Sequence, residues 1–390
     1  VLNRIIFQPM EGCDGTPDGR PGEQTLLRYD RFAAGGPGII WFEAVAIRQD
    51  ARANPRQLWL TKKTLDSFKA IVARIKKSCF EKNGFYPLVI MQATHSGRYA
   101  KPEGQPAPLI AYNNPLFEKD GPIPADRILS DGDFKAIEQD FEVSARLAKA
   151  AGFDGVDVKC CHRYLLSETL SAYERPGEYG GSFENRTRLY KNAIRAAKTS
   201  EGGGFFVTSR LNVYDGFPYP YGFCAGEDFS EAQRLAAELQ NDLGFELLNV
   251  SIGNPYQNPH VNRPFDKGGY APPEDPIDGV ARLMRAAAAV KSAAPGLRVI
   301  GSGFSYLRAF SPLLAAGAVS GGICDLAGFG RMSFAYPDFI ADIKSGLQKN
   351  KCCTACSKCS ELMRAGQITG CVIRNKFYTE LYLKTFKGAK

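Results

Sequence analysis

Four cysteines near the C-terminus have the spacing of a metal-binding cluster. Cys353, Cys356 and Cys359 are separated by two residues each, and Cys371 follows after eleven more. Such a loop can wrap three thiolates around an inorganic centre while a later turn supplies the fourth, which suits a 4Fe–4S cluster or tetrahedral zinc. Because zinc sites usually pair two Cys-x-x-Cys arms, the spacing favours iron–sulfur, and zinc remains the alternative. Cys352 is an alternative ligand to Cys353, with a less suitable spacing from Cys356.

The rest of the chain, on which the Cys-rich segment must be positioned, alternates between two kinds of segment. Short apolar runs rich in Val, Ile, Leu and Phe alternate with longer amphipathic stretches, and parallel strands buried on both faces have such sequences. The eight candidate strands are Ile5–Gln8, Gly38–Phe42, Pro87–Gln92, Gly155–Lys159, Phe205–Arg210, Leu247–Ser251, Arg298–Gly301 and Ile323–Ala327. Between them lie helical repeats, one of which begins after Ser130, a candidate N-cap.

Eight such units predict an α/β fold, a (β/α)8 TIM barrel with a short C-terminal Cys-rich extension. A doubly wound sheet is the runner-up, but the turn after its first strand would carry a Gly-rich dinucleotide pattern, and here that turn reads PMEGCDG. The interpretation divides the chain into a barrel at 1–348 and a cluster-binding extension at 349–390.

Composition and charge restrict the class of protein. The chain has 390 residues, of which 44% are hydrophobic and 23% charged, and these values exclude wholesale disorder. Lys and Arg number 49 against 41 Asp and Glu, a net charge of +8 without a dense basic block, so we expect no nucleic-acid partner. No apolar run is long enough for a membrane span. Clustered rather than spread cysteines indicate a reducing compartment, and we expect the cytoplasm.

Four separated motifs carry a resemblance to a known family. The longest is GFDGVDVKCCHRYLLSETLSAYERPGEYGGSFENRTR at 152–188, and the others are NRIIFQPM at 3–10, QATHSGR at 92–98 and GFGR at 328–331. In this order they closely resemble the old yellow enzyme family of flavin-dependent TIM barrels. With the cysteine motif, the chain resembles its iron–sulfur branch, which includes 2,4-dienoyl-CoA reductase and trimethylamine dehydrogenase.

The resemblance implies that FMN binds at the carboxyl ends of the strands. Pro9 and Met10 would contact FMN through their backbone, and Ala44 would lie beside it. Gln92 would hydrogen-bond the pyrimidine edge of the flavin. Arg210 would lie near N1 and C2, where a cation stabilises the anionic reduced flavin.

The resemblance also assigns the FMN phosphate to the last two strands. Ser302 and Gly303 after strand seven, with Gly330 and Arg331 after strand eight, would hold it. Backbone N–H groups and a helix N-terminus converge on that corner of a barrel.

Tyr164 matches the family tyrosine that protonates the substrate. The implied reaction transfers a hydride from FMN N5 to the β-carbon of an activated alkene and a proton from Tyr164 to the α-carbon. The family binds the substrate carbonyl with His-x-x-His or His-x-x-Asn, whereas this chain has Lys159 and His162. A lysine can grip a carboxylate, which favours an acidic substrate. Tyr256 and His260 are equal candidates for a further pocket residue.

Glu11 is a second departure from the family pattern. It stands beside the expected flavin where many relatives have Cys or Thr, and a carboxylate there disfavours the anionic reduced flavin. Trimethylamine dehydrogenase anchors FMN through a Cys at this position, so we expect no covalent flavin link. The printed chain ends at Lys390, before the FAD and pyridine-nucleotide domains of the large dienoyl-CoA reductases.

The resemblance implies an FMN-dependent ene-reductase that acts on an α,β-unsaturated carbonyl or carboxylate. Electrons would come from NADH or NADPH, or through the 4Fe–4S cluster from an external ferredoxin or flavoprotein. Two alternatives remain: an amine or alcohol dehydrogenase that passes electrons out through the cluster, and a non-catalytic electron-transfer subunit. The family also allows a homo-oligomer.

Overall fold

A computed structural model describes residues 1–346 and 351–388. Its eight strands form a closed parallel barrel in chain order, and the first strand pairs with both the second and the eighth. The predicted (β/α)8 TIM barrel is therefore confirmed, with a Cys-rich segment following it. The predicted boundary between 348 and 349 lies outside the described residues.

All eight predicted strands are present. They are β1 (Ile5–Phe7), β2 (Ile39–Ala46), β3 (Leu88–Thr94), β4 (Gly155–Val158), β5 (Phe206–Asn212), β6 (Leu247–Ser251), β7 (Arg298–Gly301) and β8 (Leu326–Phe329). The last prediction, Ile323–Ala327, began three residues early. The paired residues of β7 and β8 begin with Ile300 and Leu326, and just before them the Asp325 carboxylate, rather than a backbone carbonyl, accepts the Val299 N–H at 2.7 Å.

The helices surround the barrel and cover its carboxyl-terminal end. They are α1 (Glu23–Gly35), α2 (Leu65–Asn83), α3 (Asp131–Ala150), α4 (Leu165–Thr169), α5 (Phe183–Arg186), α6 (Arg188–Lys198), α7 (Ser230–Asn241), α8 (Pro259–Asn262), α9 (Pro276–Ala293), α10 (Ser311–Ser320), α11 (Arg331–Ala335), α12 (Phe339–Lys344), α13 (Lys358–Arg364) and α14 (Lys376–Lys387). Short 3₁₀ turns lie at Gln49–Ala51, Gly97–Tyr99, Ala125–Arg127 and Phe304–Phe310. Within the described ranges, none of these helices has the length and apolar character needed to cross a bilayer.

The barrel buries both faces of its strands, as the apolar runs predicted. Every residue of β2 is buried, and large side chains such as Trp41 and Phe42 fill opposite faces of that strand. The β2–β3 register shifts between Phe42 and Ala44. This bulge places Glu43 in a buried network and leaves Ala44 beside the carboxyl end of the barrel.

The Cys-rich segment folds back over the barrel. Its helices α13 and α14 pack around Leu362, Val372 and Tyr378, which are all buried. The Thr369 N–H donates to the Gly12 carbonyl at 2.7 Å, immediately after β1. This segment therefore caps the carboxyl ends of the strands, where catalytic residues of a TIM barrel collect.

Ser130 is the predicted N-cap of α3, and the structure confirms it. Its Oγ accepts the Asp133 N–H at 3.2 Å, while the Asp133 carboxylate accepts the Ser130 N–H at 2.8 Å. We expect Ser130→Ala to lower the free energy of unfolding by about 1 kcal/mol, measured by urea denaturation. Ser292→Ala, at an exposed serine that donates only to the Ala289 carbonyl, is the control. Equal stability losses in the two variants would contradict the capping role.

Candidate active site

Two adjoining cavities open at the carboxyl ends of the strands. The first, called the Arg210 cavity, is lined by Gln8, Pro9, Met10, His162, Arg210, Asn262, Arg263, Ser302, Gly303, Ser305, Gly328, Gly330 and Arg331. The second, called the Tyr164 cavity, is lined by Pro9, Met10, Glu11, Ala44, Gln92, Lys159, His162, Tyr164, Pro255, Tyr256, Arg263, Arg331, Phe334, Cys359, Ser360, Met363 and Thr369. All ten residues predicted to contact the flavin, and all three predicted catalytic residues, line one or both.

The predicted phosphate corner forms one wall of the Arg210 cavity. Ser302 and Gly303 follow β7, and Gly303 has a left-handed φ of 97° that favours glycine. At Gly330 a Cβ would lie 3.0 Å from the Met10 sulfur, so glycine keeps this corner open. Arg331 begins α11 and is only 8% exposed, yet its Nη1 has no hydrogen-bond partner among the described residues.

The buried carboxylate of Asp157 accepts hydrogen bonds from residues on three strands of the barrel. Asp157 accepts hydrogen bonds from Trp41 Nε1 at 2.7 Å and Gln92 Nε2 at 2.6 Å through one oxygen. Its other oxygen accepts the Arg210 backbone N–H at 2.7 Å. Burial raises the pKa of Asp157 to about 6, although these donors oppose the shift. Because the Gln92 amide nitrogen donates to Asp157, the Gln92 amide oxygen keeps its capacity as an acceptor.

The residues present fit FMN. Arg210 is 8% exposed and its Nε has no hydrogen-bond partner among the described residues, like Nη1 of Arg331. Buried guanidinium donors without acceptors are costly, and a bound phosphate or flavin oxygen would satisfy them. The acceptor oxygen of Gln92 and the glycines at 303 and 330 complete a cradle for a flat, anionic group.

Lys159 extends into the Tyr164 cavity without an ion-pair partner. It is 4% exposed, and its Nζ lies 3.9 Å from the centroid of the Tyr164 ring, a cation–π contact. Burial lowers the pKa of Lys159, and the nearby Cys161 and Glu11 oppose that shift. The ammonium makes no salt bridge with any carboxylate of the described residues. It is therefore available to an anionic ligand.

Tyr164 belongs to a group of three tyrosines. Its hydroxyl is 3.0 Å from that of Tyr256, whose ring stacks on Tyr99 at a centroid distance of 3.8 Å. Burial raises the pKa of Tyr164 well above its usual value, and Tyr256 and Glu11 add to the shift. The phenol therefore stays protonated and can act as an acid. His260 instead pairs with the Tyr270 hydroxyl at 2.6 Å and does not line the cavity, so the structure favours Tyr256 as the further pocket residue.

His162 reaches both cavities because of an unusual backbone. It has a left-handed φ of 64°, and Arg163 follows with 63°. The Arg163 guanidinium is fully buried and pairs with Asp215 at 2.9 Å, which anchors this strained turn. Asn262 Nδ2 donates to His162 Nε2 at 3.3 Å. Burial, together with Arg210 and Lys159, lowers the pKa of His162 well below its usual value, so the ring is neutral.

Glu11 lines the Tyr164 cavity, where it accepts from Asn54 Nδ2 at 3.1 Å. Burial raises the pKa of Glu11, and the positive charge of Lys159 opposes the shift. The residue stands on a loop held by a buried network in which Arg28 pairs with both Asp14 and Glu43. The direction of this pKa shift lessens the expected conflict between a Glu11 carboxylate and a reduced flavin.

The four predicted cluster cysteines lie in one neighbourhood. Electrostatic interactions link Cys359 with Cys353 and Cys356, and Cys371 with Cys353 and Cys359. Burial raises the pKa of Cys371 to about 11. Across 1–346 and 351–388, no three Cys, His, Asp or Glu side chains converge as the ligands of a single metal ion do.

Asp157 and Arg263 are site residues that sequence reasoning did not select. Arg263 lines both cavities, donates to Ser357 Oγ at 3.2 Å and interacts electrostatically with Cys359. Burial, reinforced by the neighbouring Arg331, lowers the pKa of Arg263 to about 10. A cation in a loop after a barrel strand was a usable signal for Arg263. An acidic residue within an otherwise apolar strand was the signal for Asp157.

Comparison with known proteins identifies relatives in sequence and in structure. The chain is 29% identical over 258 residues to an NADPH dehydrogenase of Geobacillus sp. (strain WCH70), covering 65% of this chain and 69% of the relative. It is 31% identical over 259 residues to an NADPH dehydrogenase of Bacillus licheniformis, covering 65% and 70%.

Two solved structures resemble the whole fold. A 2-naphthoyl-CoA reductase in complex with 2-naphthoyl-CoA superposes with a TM-score of 0.79 at 19% identity, and 98% of this chain matches 56% of that one. The old yellow enzyme homologue from Zymomonas mobilis gives 0.67 at 22% identity, with 90% of both chains covered. This chain thus spans little more than half of the first of these proteins.

Residues 1–261 match the model of the NADH:flavin oxidoreductase / NADH oxidase family. That match covers β1 to β6 and includes Gln92, Lys159, Tyr164 and Arg210. The chain therefore belongs to this family and is an FMN-dependent oxidoreductase.

Proposed function

We propose that the protein is an ene-reductase that reduces a C=C bond conjugated to a carboxylate. The observation that carries this proposal is the buried Lys159 ammonium, which faces the Tyr164 cavity without an ion-pair partner among the described residues. An unpaired buried cation is costly, and a substrate carboxylate would neutralise it. A neutral His162 lines the same cavity, and because its Nε2 accepts from Asn262, its Nδ1–H can donate one further hydrogen bond.

The residues divide the reaction between them. FMN held by Arg210, Arg331 and Gln92 would, in its reduced form, supply the hydride for the β-carbon of the alkene. Lys159 binds the carboxylate and stabilises the negative charge that develops on its oxygens as the double bond is lost. The Tyr164 hydroxyl gives a proton to the α-carbon, and Tyr256, at 3.0 Å, holds that hydroxyl in place. One hydride and one proton account for the two-electron reduction of the alkene.

We propose that Cys353, Cys356, Cys359 and Cys371 hold a 4Fe–4S cluster in an extension at 349–390. Their spacing and their electrostatic proximity support this assignment. Electrons would reach the flavin either directly from NADH or NADPH, or from an external ferredoxin or flavoprotein through the cluster. An iron assay distinguishes the cluster from the alternative of a zinc ion, because a zinc site would contain no iron.

Lys159 argues against the amine dehydrogenase alternative. Amines are cationic near neutral pH, and a buried ammonium repels a second cation in the same cavity. Tyr164 argues against a purely electron-transferring subunit, because an electron relay does not need a buried phenol in a substrate-sized cavity.

An anaerobic visible spectrum with flavin and iron assays tests the proposed function. We expect bound FMN, about four irons per chain for one cluster, and reoxidation of the reduced flavin by cinnamate. Sodium dithionite serves as reductant if NADH and NADPH do not bleach the flavin, which separates the donor question from the substrate question. A protein without flavin, or one whose reduced flavin is not reoxidised by cinnamate or crotonate, would contradict the proposal. Benzylamine, which should leave the oxidised spectrum unchanged, tests the amine alternative.

A further inference from the structure

The Cys-rich segment supplies one wall of the Tyr164 cavity. On α13, Met363 follows Cys359 by four residues and Ser360 by three, so its side chain neighbours both on the helix surface. All three line the cavity that also contains Lys159 and Tyr164. The helix that provides a predicted cluster ligand thus also borders the substrate space.

Hydrogen bonds on several sides hold this wall against the barrel. Thr369 N–H donates to the Gly12 carbonyl at 2.7 Å, and Arg56 Nη2 donates to the Gly366 carbonyl at 2.5 Å. On the side of the loop after β6, Arg263 Nη1 donates to Ser357 Oγ at 3.2 Å. Because three different loops of the barrel are engaged, α13 is a fixed part of the cavity.

The Tyr164 cavity combines polar and apolar residues, and both parts of the chain contribute to it. The barrel supplies Lys159 and Tyr164, and α13 adds the thioether of Met363, which is half-buried. Phe334 and Pro255 add further apolar surface. Methionine packs against apolar groups of varied shape because its side chain is unbranched and polarizable. The cavity therefore suits a ligand with a carboxylate and an apolar substituent.

We propose that Met363 is a specificity-determining residue that contacts an apolar substituent of the substrate. The preferred substrate is then an enoate with an aryl or extended alkyl group, and a short enoate binds more weakly. This inference rests on the proposed function, because it takes the carboxylate to be held by Lys159.

The test compares trans-cinnamate with crotonate, which carry the same carboxylate and differ in the size of the substituent. Each is titrated into the oxidised holoenzyme, and the change in the flavin absorbance spectrum gives its Kd. Met363→Trp fills the space and should weaken cinnamate binding about 10-fold while leaving crotonate within about twofold. Met363→Ala removes the apolar contact and should weaken cinnamate about fivefold, again sparing crotonate.

Two controls separate a specificity effect from damage to the segment. Met363→Leu keeps the volume and should bind both acids as the wild type does. Leu383→Ala, on α14 and outside the cavity, removes a similar side chain and should change neither Kd. Flavin and iron contents are measured for every variant, and the Ala variant decides the question if the Trp variant loses iron.

The outcomes distinguish this inference from the proposed function. Equal effects of Met363→Ala on the two acids, or no effect on either, would overturn the role of Met363 while leaving the enoate reductase proposal intact. Failure of the wild type to bind either acid would overturn both. A selective loss of cinnamate affinity, with turnover of both acids by the wild type, supports both.

Discussion

Turnover of an enoate by Tyr164→Phe should be about 10²- to 10⁴-fold slower than by the wild type, because the variant lacks the general acid. The phenol is 3% exposed, and its raised pKa keeps the proton in place for delivery to the α-carbon. Reduction of the bound flavin requires no proton from this hydroxyl and should keep its rate. Stopped-flow measurements that follow flavin bleaching and reoxidation separately will detect the difference.

Neighbouring tyrosines provide the matched controls for this prediction. Tyr99 stacks on Tyr256 but does not line the Tyr164 cavity, so Tyr99→Phe should leave reoxidation nearly unchanged. Tyr256→Phe removes the hydrogen bond at 3.0 Å that positions the acid and should have an intermediate effect. If Tyr164→Phe and Tyr99→Phe reoxidised at the same rate, Tyr164 would not be the proton donor.

Lys159→Met should raise the KM for cinnamate about 100-fold, because it removes one partner of a buried charge pair. The neutral ketone 4-phenylbut-3-en-2-one has the same phenyl and alkene groups without the carboxylate, and its KM should change by less than about threefold. Steady-state kinetics with both compounds give the comparison. Lys291→Met, at a half-buried lysine that pairs with Asp325 on the outside of the barrel, controls for the loss of one positive charge. Equal losses for the acid and the ketone would show that Lys159 does not recognise the carboxylate.

The pH dependence provides an independent test of Lys159. Burial lowers the pKa of Lys159 below its ordinary value, so its ammonium loses a proton at a lower pH than an exposed lysine does. Carboxylate binding is therefore complete below this pKa and is lost as the pH rises through it. The KM for cinnamate should therefore rise as the pH increases through the pKa of Lys159, which gives the pH profile an alkaline limb. The KM for the ketone should not change over this range. In Lys159→Met the limb should be absent.

The local motifs were sufficient to predict which residues line the two cavities. Each of them lies near or beyond the carboxyl end of a strand, as Gln92 does on β3 and Arg210 on β5. In a barrel these ends meet at one face, so placing each residue on its strand also brings the residues together. The interaction of Arg210 with Asp157 could not be predicted in this way, because it joins neighbouring strands through a side-chain hydrogen bond to backbone.

The loops were harder to interpret, since loop conformation depends on contacts between distant segments. Tyr256 and His260 were equal candidates in the sequence, and the hydrogen bond of Tyr256 to Tyr164 distinguishes them. The left-handed backbone at His162 is anchored by a pair between Arg163 and Asp215, which are 52 residues apart. Neither feature has a local sequence signal.

The sequence by itself determined the barrel, its eight strands and the residues that gather at their carboxyl ends, because apolar periodicity and motif spacing are local properties. Only the tertiary structure decided that α13 borders the Tyr164 cavity and that Met363 shares it with Lys159. These two residues are far apart in the chain, and they meet because the Cys-rich segment is hydrogen-bonded across the top of the barrel, through contacts such as that of Thr369 with Gly12. The composition of the Tyr164 cavity is therefore a property of how the two parts of the chain pack together.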